Sequence, residues 1–329
     1  MPMLEATGLT RSFLIKRPLR KPVAVSAVGG IDLAIDRSET LAIVGESGCG
    51  KSTLGRLLLG LLPVTSGSVR FEGRDLATLP ASDWRGQRAR MQIVFQNPLE
   101  ALDPRLPIGH QIAEPLAIHG TASGSSRKAE AERLMREVGL SVSLYDRRPL
   151  ELSGGQRQRV VIARALATDP AFVVFDEPVS ALDVSVQAQI IALIRRLQEA
   201  NGFASVFISH DLRVVRHVAD RIAVMYLGRI VEEGPVKEVL RSPAHPYTRT
   251  LIDAVPQIRQ RPGRERQRLQ GEAVDAMREQ KGCAFRPRCP LATIDACALS
   301  VPALKSLGHG RSAACHLATG MRTPLQPLV

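Results

Sequence analysis

Nine residues, Gly45-Glu46-Ser47-Gly48-Cys49-Gly50-Lys51-Ser52-Thr53, have the types and spacing to hold a phosphate. Glycines let successive backbone N–H groups point at one anion. A helix that begins there adds its free N–H groups and the positive end of its dipole. Lys51 would reach the β- and γ-phosphates, and the Ser52 hydroxyl would ligate Mg²⁺. A glycine turn before a leucine helix is the plainer reading, but the minimal pattern arises by chance in on the order of one chain in a hundred. The apolar lead-in Thr40–Val44 and the leucine-rich Leu54–Leu62 supply the strand and helix that the phosphate reading requires. Cys49, inside the loop, reads as a small residue that fits.

A second chemical signal follows Ala171-Phe172-Val173-Val174-Phe175, a run apolar enough for a strand buried on both faces. It ends in Asp176-Glu177. An acid there can hold Mg²⁺ opposite the loop hydroxyl, and the next can activate water as general base. Adjacent acids are common on surfaces, so the pair gains weight only from the run before it and the loop upstream. Gln96 and His210 also close predicted strands, Met91–Phe95 and Ala204–Ile208. Taken alone, His210 reads as a hydrogen-bonded structural histidine.

Several elements must position these groups. Residues 3–9 and 28–35 read as short strands around an insert carrying Pro18 and Pro22, expected as a hairpin or loop. Val69–Glu72 reads as another strand. From Asn97 to about Leu150 the character turns helical, with Pro98, Pro104, Pro107 and Pro115 as punctuation, Gly120–Ser126 as a mobile connector and Ala129–Val138 as an amphipathic helix. Val160–Ala167 and Val186–Leu197 read as helices, and Ile222–Tyr226 and Arg229–Glu232 as the strands that finish the sheet. The alternation predicts an α/β fold with a mostly parallel core sheet, antiparallel N-terminal strands and a helical insertion. No internal repeat of useful period is present.

The 329 residues are ample for one or two domains, and 44% hydrophobic with 23% charged content is ordinary for a globular chain. No apolar run approaches a membrane span, and Met1–Leu9 lacks the features of a secretory signal, so a cytoplasmic protein is expected. The net charge of +12 is driven by arginine and spread along the chain, with two local concentrations, at Lys16, Arg17, Arg20 and Lys21 and at Arg259, Arg261, Arg264, Arg266 and Arg268. Nucleic acid or an anionic membrane could use such clusters. No nucleic-acid motif accompanies them and aromatics are 4% of the chain, which favours solvated loops.

The ordered set Gly45–Thr53, Gln96, Leu152-Ser153-Gly154-Gly155-Gln156, Asp176-Glu177, Ser180-Ala181-Leu182-Asp183 and His210 resembles an ABC-transporter ATPase, a P-loop NTPase fold, over about residues 1–255. The resemblance implies ATP hydrolysis with Glu177, His210 and Gln96 as catalytic residues. It further implies that Ser153, Gly154, Gly155 and Gln156 meet ATP held by an opposite subunit. Asp183 would couple the two sites, Ser52, Gln96 and Asp176 would serve Mg²⁺, and Phe13 would stack on adenine. The physics agrees, since a helix opening at a Ser-Gly-Gly turn offers a second set of N–H groups for phosphate.

Residues 256–329 form a separate extension in this reading, with the helical subdomain at about 97–168. The extension carries Cys283, Cys289, Cys297 and Cys315, four of the five cysteines, spaced C-x5-C-x7-C-x17-C. No common zinc or ferredoxin spacing matches, and chemistry leaves a metal centre and ordinary thiols both open. The tail, with Val94-Phe95-Gln96-Asn97-Pro98 and His245-Pro246-Tyr247-Thr248, resembles the ATPase subunits of oligopeptide/dipeptide importers, and the insert near Pro18–Pro22 resembles the second of their two ATPase subunits. That resemblance implies a [4Fe–4S] cluster on the four cysteines. It also implies a paralogous ATPase partner in a heterodimer, two permease subunits, an extracytoplasmic substrate-binding protein, and a peripheral place on the cytoplasmic face of the inner membrane. The rivals are an ABC ATPase acting on nucleic acid or ribosomes, disfavoured because one ATP-binding domain is present and no coiled-coil insertion, and an exporter subunit, disfavoured by the tail.

Overall fold

Apolar runs bounded by glycine and proline become strands in the computed structural model, which describes residues 1–17, 20–121, 123–255, 281–292 and 294–318. The strands are β1 (Leu4–Arg17), β2 (Arg20–Ile35), β3 (Thr40–Val44), β4 (Ser66–Phe71), β5 (Arg74–Asp75), β6 (Met91–Val94), β7 (Phe172–Asp176), β8 (Ala204–Ser209), β9 (Arg221–Tyr226), β10 (Arg229–Pro235), β11 (Lys305–Gly308) and β12 (Arg311–Ala313). The chain divides into two units, the first made of Met1–Glu5, Ala34–Thr40 and Arg70–Ile208, the second of Ala6–Leu33, Leu41–Val69 and Ser209–Val329. Pro18 and the arginine-rich stretch 259–268 lie outside the described residues.

In the first unit β6, β7 and β8 run parallel, with Val94 opposite Phe175 and Asp176 opposite Ile208. Every residue of β7 and β8 is buried. Such strands need apolar side chains on both faces, which is why they read as continuous runs rather than alternations. Phe175 packs its ring 6.3 Å from that of Phe203 and 6.2 Å from that of Phe207. Helices Ile108–His119, Gly124–Glu137 and Gly154–Leu166 pack together as the expected helical insertion. Two details differ from expectation. Pro115 does not break the chain but sits inside Ile108–His119, where burial of Ile112 and Leu116 outweighs the lost N–H. The connector is shorter than 120–126, because the second helix already starts at Gly124, with Ser126 Oγ accepting the Ser123 N–H at 3.1 Å.

In the second unit β3 lies parallel to β9, with Val44 opposite Val224. Leu227 (φ 43°) and Gly228 (φ 79°) turn β9 into β10, both in the left-handed region that a two-residue hairpin turn demands. The sheet does not end at β10 as expected. β12 pairs with it antiparallel, Glu232 opposite Ala313, and β11 pairs with β12. These strands are only four and three residues long and bury a single residue, Ala313, so they carry no apolar pattern to read. β2, β1 and β4 lie side by side in that order. β1 and β2 are also longer than the short strands expected. Their outer ends expose residues such as Leu14 (76%), so no buried face imprints an alternation there.

The core of this unit draws on residues before 256 and on the extension alike. Tyr226, Tyr247 and Phe285 meet with ring centroids 4.6, 5.3 and 5.4 Å apart. His245 caps helix Pro246–Ala254, its Nδ1 accepting the Tyr247 N–H at 3.0 Å. The buried Glu232 carboxylate accepts the N–H groups of Ala244 (2.8 Å) and His245 (2.9 Å).

Burial pushes the His245 imidazole from 6.5 down to about 4. The unfolded chain therefore takes up a proton that the folded chain refuses, so this contribution is complete above pH 6.5 and is lost as pH falls toward 4. The loss is about 3 kcal/mol. His245→Asn keeps a capping acceptor and removes the titration. Denaturant unfolding should show wild-type stability falling more steeply than that of the variant between these pH values. The buried Glu232 is common to both and drops out of the difference.

Candidate active site

The nine-residue loop joins β3 to helix Lys51–Leu58 in the second unit. Gly45 has φ 155° and a Cβ there would lie 2.2 Å from the Met225 carbonyl oxygen. Gly50 has φ 105° and its Cβ would lie 2.1 Å from the Ala27 carbonyl oxygen. Both positions require glycine on steric as well as conformational grounds. The loop is tied to the β9–β10 turn, since the Gly228 N–H donates to the Cys49 carbonyl at 2.9 Å. Ser47 and Gly48 are exposed, and Ser52 and Thr53 are half-buried in the first helical turn. Lys51 is 4% exposed, and its Nζ donates to the carbonyls of Gly45 and Glu46, both at 2.9 Å. A cation held by two carbonyls in a glycine cradle is ready to exchange them for phosphate oxygens. Cys49 is buried, and that burial pushes its thiol up despite Lys51, which agrees with a packing role.

In the first unit, Asp176 is buried at the end of β7. Glu177 follows in a left-handed conformation, φ 47°, uncommon for a residue with a side chain. Its N–H donates to Ile208 at 3.1 Å, and its carbonyl accepts from the Ser180 hydroxyl at 3.1 Å. Gln96 meets this turn, its Nε2 3.4 Å from Glu177 Oε2 and 3.3 Å from Ser180 Oγ. Ser180 was expected only as part of a motif; here it links Gln96 to Glu177. Asp183 is exposed at the start of helix Val184–Asn201. Gln187, not anticipated from sequence, holds the intervening turn through the carbonyls of Val179 (3.1 Å) and Leu182 (2.9 Å). A polar residue one turn into an amphipathic helix was the available signal.

Ser153 and Gln156 form a reciprocal cap on helix Gly154–Leu166, Ser153 donating its N–H to Gln156 Oε1 at 2.9 Å and accepting the Gln156 N–H at 3.3 Å. Ser153 and Gly154 are exposed and Gly155 half-exposed. A Cβ on Gly155 would meet Val186 at 2.6 Å. In the second unit His210 is exposed immediately after β8. Asp211 beside it caps helix Leu212–Val218. Phe13 is 37% exposed on β1, with the Arg11 guanidinium 4.7 Å from its ring centre.

All five cysteines are free. The Cys283 N–H donates to the Cys297 carbonyl at 2.9 Å. Burial pushes the thiols of Cys283, Cys289 and Cys315 up, and neighbouring cysteines of the set of four add to it. Among the described residues no three His, Cys, Asp or Glu side chains are close enough to hold one metal ion.

Residues 28–180 match the ABC transporter family, and residues 231–297 match the oligopeptide/dipeptide transporter C-terminal region. The dipeptide transport ATP-binding protein DppF of Haemophilus influenzae is 45% identical over 315 residues, covering 95% of this chain and 96% of that protein. The chain belongs to the ATP-binding subunits of the ABC oligopeptide/dipeptide transporter family. DppF of Escherichia coli is 44% identical over 315 residues, covering 95% and 94% of the two chains. A probable peptide ABC transporter ATP-binding protein of Sinorhizobium fredii reaches 48% over 318 residues, covering 96% and 90%. Among solved structures, the dimeric post-hydrolysis state of the ATP-binding cassette MJ0796 bound to ADP and Pi has a TM-score of 0.63 at 30% identity, covering 71% of this chain and 99% of that one.

Gln187→Leu leaves two partly buried carbonyls without their donor and loosens the turn between Glu177 and Asp183. A stability loss of about 1–3 kcal/mol is expected by thermal melting. ATP turnover should fall severalfold while the affinity for an ATP analogue stays near wild type.

Proposed function

We propose that this chain hydrolyses ATP to power import of oligopeptides, dipeptides or related small solutes through a membrane permease complex. The observation that carries the peptide assignment is the match of residues 231–297, reaching from β10 into the extension, to the oligopeptide/dipeptide transporter C-terminal region. The importer names of its relatives point the same way.

In this reading Lys51 leaves the Gly45 and Glu46 carbonyls for the β/γ-phosphates while the amides of residues 47–53 line the phosphate path. Ser52 and Asp176 are hard oxygen donors, the set Mg²⁺ prefers, and Asp176 has the buried strand-end position of a fixed ligand. Mg²⁺, when bound, neutralises charge on the phosphates. Glu177 takes the proton of the attacking water, and its left-handed backbone fixes the direction of its carboxylate. Gln96, at hydrogen-bonding distance from Glu177, reports on Mg²⁺ and the permease, and His210 contacts the γ-phosphate. Phe13 stacks on adenine.

Ser153, Gly154, Gly155 and Gln156 serve a nucleotide held by a second subunit, with Asp183 coupling the two sites. The partner is a paralogous ATPase in a heterodimer, with two permeases and an extracytoplasmic binding protein. Among the described residues no helix is long and apolar enough to cross a membrane. Attachment to the cytoplasmic face of the inner membrane through the permeases follows from this reading. The domain division is read as an ATP-binding domain at 1–255 and an extension at 256–329.

The donor set of the extension is four free thiols within electrostatic reach of one another. Four thiolates are the donor set that a [4Fe–4S] cluster takes, so Cys283, Cys289, Cys297 and Cys315 would hold it. Such a cluster, when bound, supplies a cross-brace and one-electron redox capacity.

Glu177→Gln should keep ATP-analogue affinity and lower hydrolysis by about 10²–10⁴-fold; wild-type-like turnover would overturn the base assignment. Cys283→Ser, purified anaerobically, should lose the brown absorbance expected of the wild type. Zinc without iron in the wild-type protein would refute the cluster.

A further inference from the structure

We propose that Arg288, in the cysteine-bearing extension, is a positioning residue for nucleotide binding, acting through Glu46. This rests on the reading of residues 45–53 as the ATP cradle. Every polar group of Glu46 is engaged. Its N–H donates to the Tyr247 hydroxyl at 2.9 Å, and its carbonyl accepts Lys51 Nζ at 2.9 Å. Its carboxylate accepts two bonds from Arg288, Nη1 to Oε2 at 2.8 Å and Nη2 to Oε1 at 2.9 Å. The Arg288 side chain is 6% exposed and that of Glu46 30%. Tyr226, Tyr247 and Phe285 meet at tilted and edge-on angles, and Tyr226 lies near enough to act on the Arg288 guanidinium, which is itself buried.

Two consequences follow for phosphate binding. When Lys51 turns to phosphate, the Glu46 carbonyl keeps only the Cys49 N–H, at 3.3 Å, and Tyr247 and Arg288 remain to hold the loop. Arg288 also neutralises a carboxylate that belongs to an anion-binding loop. Without it, a bare negative charge would stand beside a site for polyphosphate, in surroundings that screen poorly. The planar two-pronged fork matters as well as the charge, which a lysine supplies without the fork.

The test uses the full chain, with affinity for a non-hydrolysable ATP analogue, KM and kcat for ATP, and a thermal melt. Arg288→Met should raise the analogue Kd and the KM roughly tenfold, within the usual range of coupling between sites. Its kcat at saturating ATP should stay within about twofold, because the base and Mg²⁺ ligands are untouched. Glu46→Gln combined with Arg288→Met should recover most of the lost affinity, since the uncompensated charge is gone. A role in stability alone would give no such rescue. Should Arg288→Met fail to fold, Arg288→Lys is measured instead, with a smaller rise in Kd expected. A wild-type Kd in the single variant, or a loss that Glu46→Gln does not relieve, overturns the clamp. A wild-type protein that binds no ATP analogue overturns the cradle reading itself and the clamp with it.

Discussion

A strand covered on both faces can leave a polar side chain without a protein partner only where it leaves the sheet, and the candidate site groups follow that constraint. β3, β7 and β8 are buried along their whole lengths. Burying an unpaired polar group along them would cost several kcal/mol. Each presents its candidate groups at its carboxyl end: Gly45 and the cradle after β3, Asp176 and Glu177 at the end of β7, and His210 after β8. Open α/β sheets bind ligands at that edge for this reason. The constraint also explains the backbone at Glu177. The chain must leave a buried strand at once, and the left-handed turn lets it do so while directing a carboxylate outward.

The second unit shows how closely the extension is joined to the ATPase region. Phe285 is 1% exposed and completes an aromatic cluster begun by Tyr226 and Tyr247. β12 extends the sheet beside β10. Arg311 from β12 donates to Glu232, itself buried, and to the Ser242 carbonyl. Buried ions of this kind need every bond they can make. Glu232 meets the need with two backbone N–H groups and one guanidinium. Residues 285 and 311 are thus core constituents of the fold that carries the cradle.

What could be read from sequence tracks how local its cause is. The glycine cradle, the buried runs before Asp176 and His210, and the turn that opens helix Gly154–Leu166 are short-range patterns, and each sits in the element expected of it. The outer parts of β1 and β2 were not legible, because residues 10–15 and 22–27 include no fully buried side chain to mark a period. β11 and β12 were missed because four and three residues are too few to show a period. The bond from Arg288 to Glu46 spans 242 positions, and no spacing rule reaches that far. Its only trace was an arginine beside Cys289, which also reads as an ordinary solvated charge. Gln187 was hidden differently, since its amide serves carbonyls that no sequence pattern marks as needing a donor.

The Ser-Gly-Gly turn carries the argument beyond one chain. Ser153 and Gln156 satisfy each other, so the cap is complete without a ligand. The first amides of the helix, at Gly154 and Gly155, have no carbonyl one turn earlier to bond. A helix start with exposed glycines leaves these amides and the positive dipole end directed outward. Within the helix itself no acidic residue occupies the first turn to answer that field. On the proposed reading the answer is the γ-phosphate on a second subunit, and its binding energy then becomes association energy between subunits. Hydrolysis withdraws that energy, so the same amides that close the dimer also let it open.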